Sequence, residues 1–218
     1  MKKQAACFCV FIMLVSSALH GNEIAYYSAL SISSYAGPGF DDYLDDMQSR
    51  EGAESAKNNP IIGVSLGIIA EKQLSNTLST RGELALSARG GGYLLKYEDG
   101  RQASTLLSEI DLQIPFLIRY TTSIDDDNKL YFIAGPSFSI LLISKAFIQD
   151  GAEFSMHSFP ETDPTLIGLS AVGGIGVELP FSGKRIFFEL RALTELNDSI
   201  TGYSHAHQRQ ICFITGIK

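Results

Sequence analysis

Cysteine is scarce in this chain: three in 218 residues, and two of them, Cys7 and Cys9, fall in the first apolar stretch. Once that stretch is removed only Cys212 remains, so no intramolecular disulfide can form and a lone thiol in a strand reads as packing. Positive charge is also short. Seventeen Lys and Arg against 24 Asp and Glu leave a net charge of −7, which argues against a nucleic-acid partner. Beyond the first stretch there is no run of about 20 apolar residues, and so no helix able to span a bilayer. An exported chain lacking such a run can enter a membrane only as a closed barrel.

What is present begins with an export signal. Lys2 and Lys3 supply a positive start, Cys7 to Val15 a short apolar core, and Ser16-Ser17-Ala18 small residues for cleavage, with Gly21 a second possible site. Cys7 and Cys9 lie at the front of the apolar core rather than behind it, which is the wrong place for a lipidated cysteine. The expected division is a signal peptide over 1–21 and one domain over 22–218.

The strongest pattern in the mature chain has a period of two. From Ser108 to Thr121 one face reads Glu109, Asp111, Gln113, Pro115, Leu117, Arg119, and the other reads Ile110, Leu112, Ile114, Phe116, Ile118, Tyr120. A strand sends alternate side chains to opposite faces, so this run is apolar on one side and charged on the other. A tilted strand crosses a bilayer in roughly 9–11 residues, and this one is long enough. Apolar outside and charged inside is the arrangement of a transmembrane barrel. The alternation recurs at Glu83 to Arg89, at Ile167 to Leu179 and at Arg185 to Ala192.

Eight strands are expected, near Ile24–Ser33, Ile61–Lys72, Leu78–Tyr97, Thr105–Thr122, Lys129–Phe147, Thr165–Leu179, Arg185–Leu196 and Arg209–Lys218. Their connections alternate. Those near Ser34–Pro60, Glu98–Ser104, Gln149–Pro164 and Asn197–Gln208 are the long class; Gln73–Thr77, Ser123–Asn128 and Pro180–Lys184 are tight turns. Outer-membrane barrels place short turns on one side and long loops on the other. In the first long loop Phe40, Tyr43, Leu44 and Met47 fall at helical spacing, which predicts a short amphipathic helix at the barrel mouth.

The inward charges Glu83, Arg89, Glu109, Asp111, Arg119, Glu178, Glu189 and Arg191 form the largest constellation in the chain. In a narrow lumen they must be paired, and they read either as a salt-bridged filling or as an ion path, with the filling preferred. Gly173-Gly174-Ile175-Gly176 continues directly into Val177, Glu178 and Leu179, so it is strand rather than a phosphate-binding loop opening a helix. Ser204, His205, His207 and His157 sit in long loops without a carboxylate placed by spacing, and read as solvated loop residues. The acids around Asp41, Asp42, Asp45 and Asp46 lack the spacing of a calcium loop. No catalytic residue, cofactor or metal site is expected.

Two longer stretches carry a family resemblance. Glu109-Ile110-Asp111-Leu112-Gln113-Ile114-Pro115-Phe116-Leu117-Ile118-Arg119-Tyr120 and Leu130-Tyr131-Phe132-Ile133-Ala134-Gly135-Pro136 through Lys145 resemble the Ile-Pro and Ala-Gly-Pro strands of the porin-like outer membrane β-barrel family, the group with PorT-type proteins. Gly174 to Glu178 and Arg191 to Asp198 are similar to its later strands, while the chain ends on Ile217-Lys218 where members commonly end on an aromatic. The resemblance implies an all-β fold, an eight-stranded antiparallel up-and-down barrel in the outer membrane of a Gram-negative cell, and no shared active site. Outer membrane lipid, and an unidentified surface or periplasmic protein, are the expected partners. The function expected is non-enzymatic, structural, interacting or porin-like. A small lipid-modifying enzyme and a soluble periplasmic ligand-binding barrel are the alternatives.

Overall fold

The computed structural model describes residues 23–125, 127–150, 153–158, 167–197 and 205–218. The expected signal peptide, and Ser204 with it, lie outside them. Strands β1 (Glu23–Ala36), β3 (Ile61–Gln73), β4 (Leu78–Lys96), β5 (Gln102–Ser123), β6 (Lys129–Asp150), β8 (Ile167–Phe181), β9 (Lys184–Glu195) and β10 (His207–Ile217) carry the alternating segments. Their order is β4-β3-β1-β10-β9-β8-β6-β5, and β5 pairs back to β4, so these eight form a closed antiparallel ring. Closure removes every sheet edge within the wall.

The paired residues give the slant of the wall. From Ile24 the register runs through Ala70, Gly82 and Phe116, which faces Pro136 between the pairs Pro115–Ser137 and Ile118–Ala134. It continues through Ala171, Thr194 and Arg209 and returns to β1 at Ser34, a stagger of ten residues (34 less 24). Eight strands with that stagger tilt roughly 40–45° and enclose a space just wide enough for side chains.

The period of two sorts those side chains. Outward positions carry Leu66, Leu86, Ile118, Leu190 and Phe213, all exposed, with Ile62 reaching 79%. Inward positions carry buried Arg, Glu, Asp, Gln and Ser beside Tyr27, Tyr131 and Phe187. An apolar belt of this extent is not left facing water; it faces lipid. Two positions depart from simple alternation. Ile114 keeps outward parity yet is 3% exposed, its direct partner being Phe138. The β5–β6 register shifts between Ile110 and Asp111, so that Leu142 and Ile143 of β6 both face outward. That bulge resets the parity of the strand beyond it.

Three short turns gather at one end, after β3, β5 and β8, together with both ends of the described chain. The turn after β5 rests on Asp125, whose carboxylate accepts the Asn128 amide N–H at 2.7 Å and the Asp127 amide at 3.0 Å. Those donors, Asn128 first, hold its carboxyl below the usual range. The opposite end carries the helix expected in the first long loop and two short strands that the strand pattern did not show. Helix α1 (Pro38–Glu51) leads to a short strand β2 (Ser55–Asn58) on the extension of β4, and β7 (Glu153–Ser158) pairs with the extension of β6.

Helix α1 follows from its sequence. Pro38 stands at its first turn, Asp41 lies near its positive end, and Arg50 pairs with Asp46 at 2.9 Å near its negative end. Gly52 ends it in the left-handed conformation at φ 64°. Phe40 and Leu44, one turn apart, are its buried side chains with Gly39.

Candidate functional site in the barrel lumen

The barrel interior holds the densest polar chemistry of the molecule, arranged in three tiers. All eight inward charges named from the sequence face this interior, and the structure distributes them over the tiers rather than into one cluster.

The middle tier is a closed ring of two arginines and two glutamates. Arg191 donates to both oxygens of Glu83 at 2.9 Å and to Glu189 at 2.7 Å. Arg81 meets Glu83 at 2.6 Å and Glu189 at 2.8 Å, with its guanidinium 5.6 Å from the Phe187 ring centre. All four side chains are 0–3% exposed. Each charge is matched on two sides, which is what permits ions at this depth.

The tier toward the short turns joins Arg119, Glu71, Glu178 and Lys218. Arg119 donates to Glu71 at 2.8 Å and meets Glu178 at 2.8 Å. The Lys218 ammonium reaches Glu71 at 2.6 Å and Glu178 at 2.8 Å, and Ser79 donates to Glu71 at 2.5 Å. Tyr131 links this tier to the middle one. Its hydroxyl donates to Glu189 at 3.1 Å, while the Arg119 guanidinium sits 4.0 Å from its ring centre.

The tier below the long connections is built differently. Among the described residues Arg89 is its single cation. It donates to Asp111 and, at 2.8 Å, to Glu195. Among the described residues Glu109 receives neutral donors, the Tyr35 hydroxyl at 3.2 Å and the Gln208 amide at 3.4 Å. Three carboxylates therefore face one guanidinium.

Above this tier lies an apolar cluster of Tyr35, Phe40, Leu44 and Ala206, against which Tyr43, Ala56, Tyr93 and Leu107 pack. Its rings step outward from Tyr35 to Phe40 (5.6 Å), Tyr43 (6.0 Å) and Tyr93 (5.7 Å). The α1 helix thus lies at the barrel mouth, packed through Phe40 and Leu44 against Tyr35 of β1, as the helical spacing of Phe40, Tyr43, Leu44 and Met47 predicted. Behind it, the carbonyl of His205 approaches Gly37 so closely that no Cβ fits there, and Gly37 takes φ 107°.

Sequence reading missed Glu71, Arg81, Glu195 and Lys218 as members of the tiers. Arg81 has the odd parity of Glu83 and Arg89, and Glu195 that of Glu189 and Arg191, so extending the same rhythm finds both. His205 and His207 lie at the mouth with rings 6.2 Å apart, and His207 is bonded to the carbonyl of Asn197 at 3.2 Å. Among the described residues no group of three or more His, Cys, Asp or Glu is disposed to hold a metal ion.

The glycine-rich stretch in β8 serves packing. Tyr131 is paired with Gly176, and its ring lies where a Cβ at 176 would stand. Tyr27 lies over its partner Gly67 in the same way. Large inward aromatics fit a narrow lumen because the neighbouring strand yields the space.

The solved structures that the chain matches include three outer-membrane proteins. Neisserial surface protein A is 10% identical, with a TM-score of 0.42 over 89% of this chain and 96% of its own. Ail of Yersinia pestis, its attachment invasion locus protein, is 11% identical, with a TM-score of 0.38 over 90% and 98%. OprG of Pseudomonas aeruginosa is 11% identical, with a TM-score of 0.41 over 89% and 92%. No curated protein matches the sequence. The sequence model for the outer membrane protein beta-barrel domain matches residues 20–201. The chain belongs to that family, and its closed, lipid-belted ring is a barrel of the Gram-negative outer membrane.

Proposed function

We propose that the protein is a non-enzymatic outer-membrane barrel whose lumen is filled rather than conducting, and whose external face, led by α1, serves partners outside the cell. The observation that supports this most is the middle tier. Two guanidiniums and two carboxylates bond across the lumen and leave no charge to guide a passing ion. A wide pore needs water along its axis, and an eight-stranded wall has little space for it once side chains are placed. Helix α1, acting as a plug on its apolar cluster, adds a second closure at the long-loop end, which for this family's architecture is the external one. Its outer surface carries the exposed Asp41, Asp42 and Asp45. Lipid occupies the belt.

Reconstituted into planar bilayers, the folded protein should give no discrete conductance steps. Regular ohmic steps would mean a continuous aqueous path and would overturn the filled-lumen reading. The enzymatic alternative rests on the mouth histidines. Replacing His205 and His207 by alanine should leave the masses of the cell's lipid A unchanged. A mass shift tied to those two residues would make acyl chemistry the working function.

A further inference from the structure

Seven of the eight arginines in the chain meet an acidic side chain, in the lumen or at its ends. The eighth is Arg209. It is exposed on the outer face of β10, and no acid among the described residues pairs with it. A guanidinium offers five donors in a flat fork and keeps its charge at any pH the cell meets. Left unpaired at the edge of hydrocarbon, it calls for an anion.

The register sets its position. Arg209 lies directly between Ser34 of β1 and Thr194 of β9, so a hydroxyl flanks it on each side of the same outer face. This row stands at the end of the wall that carries the long connections. One outward row below are Ile32 and Ile211, each 59% exposed, and then Leu30 and Phe213. Arg209 therefore marks the external edge of the belt, at the level of lipid headgroups.

The surface beneath it is recessed. From Ile211 the row runs through Ala192, Gly173 and Ala134, across β9, β8 and β6. The stagger of the wall makes this row sink toward mid-belt as it leaves Ile211, so it descends below Arg209. The next row, Phe213, Leu190, Ile175 and Phe132, is large and exposed throughout. A Cβ at Gly173 would meet nothing within 4 Å, which leaves a shallow trough above that ridge.

We propose that Arg209, with the Ser34 and Thr194 hydroxyls, binds the headgroup phosphate of an external-leaflet lipid, which in this membrane is lipid A. Charge complementarity identifies the headgroup. The planar guanidinium matches two phosphate oxygens at once, and the hydroxyls donate to others. Continuity identifies the source, because the surface below Arg209 runs without a break into the belt that faces lipid. Acyl chains attached to the bound phosphate lie over Ala192 and Gly173, whereas a free phosphate ion gains nothing there. The inference rests on the reading of the long-loop end as external and of the belt as lipid-covered. A barrel that stays folded and non-conducting yet ignores lipid A would lose this site alone.

The test is native mass spectrometry of the refolded protein in detergent micelles, titrated with lipid A, with gel mobility confirming each folded barrel. The parent should retain one lipid A, and Arg209→Gln should weaken that retention about tenfold, the loss of one charge-assisted pair. Lys72→Gln, which removes an exposed cation at the short-turn end, should match the parent. Lipid A stripped of its phosphates should bind the parent about as weakly as the intact lipid binds Arg209→Gln. Inorganic phosphate in large excess should not displace the lipid. Equal retention by the parent and Arg209→Gln overturns the site, and so does equal retention of the stripped lipid. Displacement by inorganic phosphate would make the ligand a free anion and overturn the lipid assignment. The stripped-lipid comparison uses the parent alone, so it decides even where Arg209→Gln fails to fold.

Discussion

Arg191→Met is expected to cost the barrel about 3–5 kcal/mol, the usual consequence of deleting one member of a buried ionic group. The substitution removes three donor contacts, two to Glu83 and one to Glu189. Arg81 alone then serves two buried carboxylates. The expense lies in the charges left behind, so a variant that also carries Glu83→Gln and Glu189→Gln should recover much of the loss. Urea unfolding of the refolded protein, followed by the gel-mobility difference between folded and unfolded forms, measures both. If Arg191→Met matched the parent within about 0.5 kcal/mol, the middle tier would be solvated, and the filled-lumen reading would weaken with it.

The second large effect is steric and sits in the glycine stretch of β8. Gly176→Val should destabilise by about 3 kcal/mol, since overpacking of this kind forces a side chain out of its place. The displaced group is the Tyr131 ring, and with it go the hydroxyl bond to Glu189 and the face on which Arg119 rests. Gly173→Val, three residues earlier on the lipid face, meets nothing within 4 Å and should be neutral or slightly stabilising. The same unfolding assay separates the two. Equal losses at 173 and 176 would show that backbone freedom, not the space under Tyr131, is why glycine stands there.

These contrasts mark how far the sequence could be read. The wall was legible because lipid outside and charge inside act on every second residue, so Glu109, Asp111 and Arg119 separate from Ile110, Leu112 and Ile118 without any knowledge of neighbours. The alternation of loop lengths then closed the ring. The tiers were less legible, since they depend on which inward residues share a level. That is set by the ten-residue stagger, which no single strand reveals. Lys218 is the clearest case: its ammonium reaches Glu71 and Glu178 from two other strands, and nothing local points it inward. The partnership of Tyr131 with Gly176 is hidden for the same reason. The bulge at Leu142 escaped because two successive outward residues look like noise in an apolar run.

The middle tier also bears on how such a wall can be assembled. Arg81 and Glu189 lie 108 positions apart along the chain, as do Glu83 and Arg191. Neither pair exists until β9 has been delivered opposite β4. A half-built sheet of β3 to β6 would carry Arg81, Arg89 and Arg119 along one face with only part of their counter-charges, because Glu178, Glu189 and Glu195 arrive later in β8 and β9, and hydrocarbon would reject that charged face. Threading the strands singly into lipid is therefore disfavoured. The nascent sheet has to curl with its charged side kept wet until β10 meets β1, and the final seam is the step that turns a rejected surface into a neutral interior.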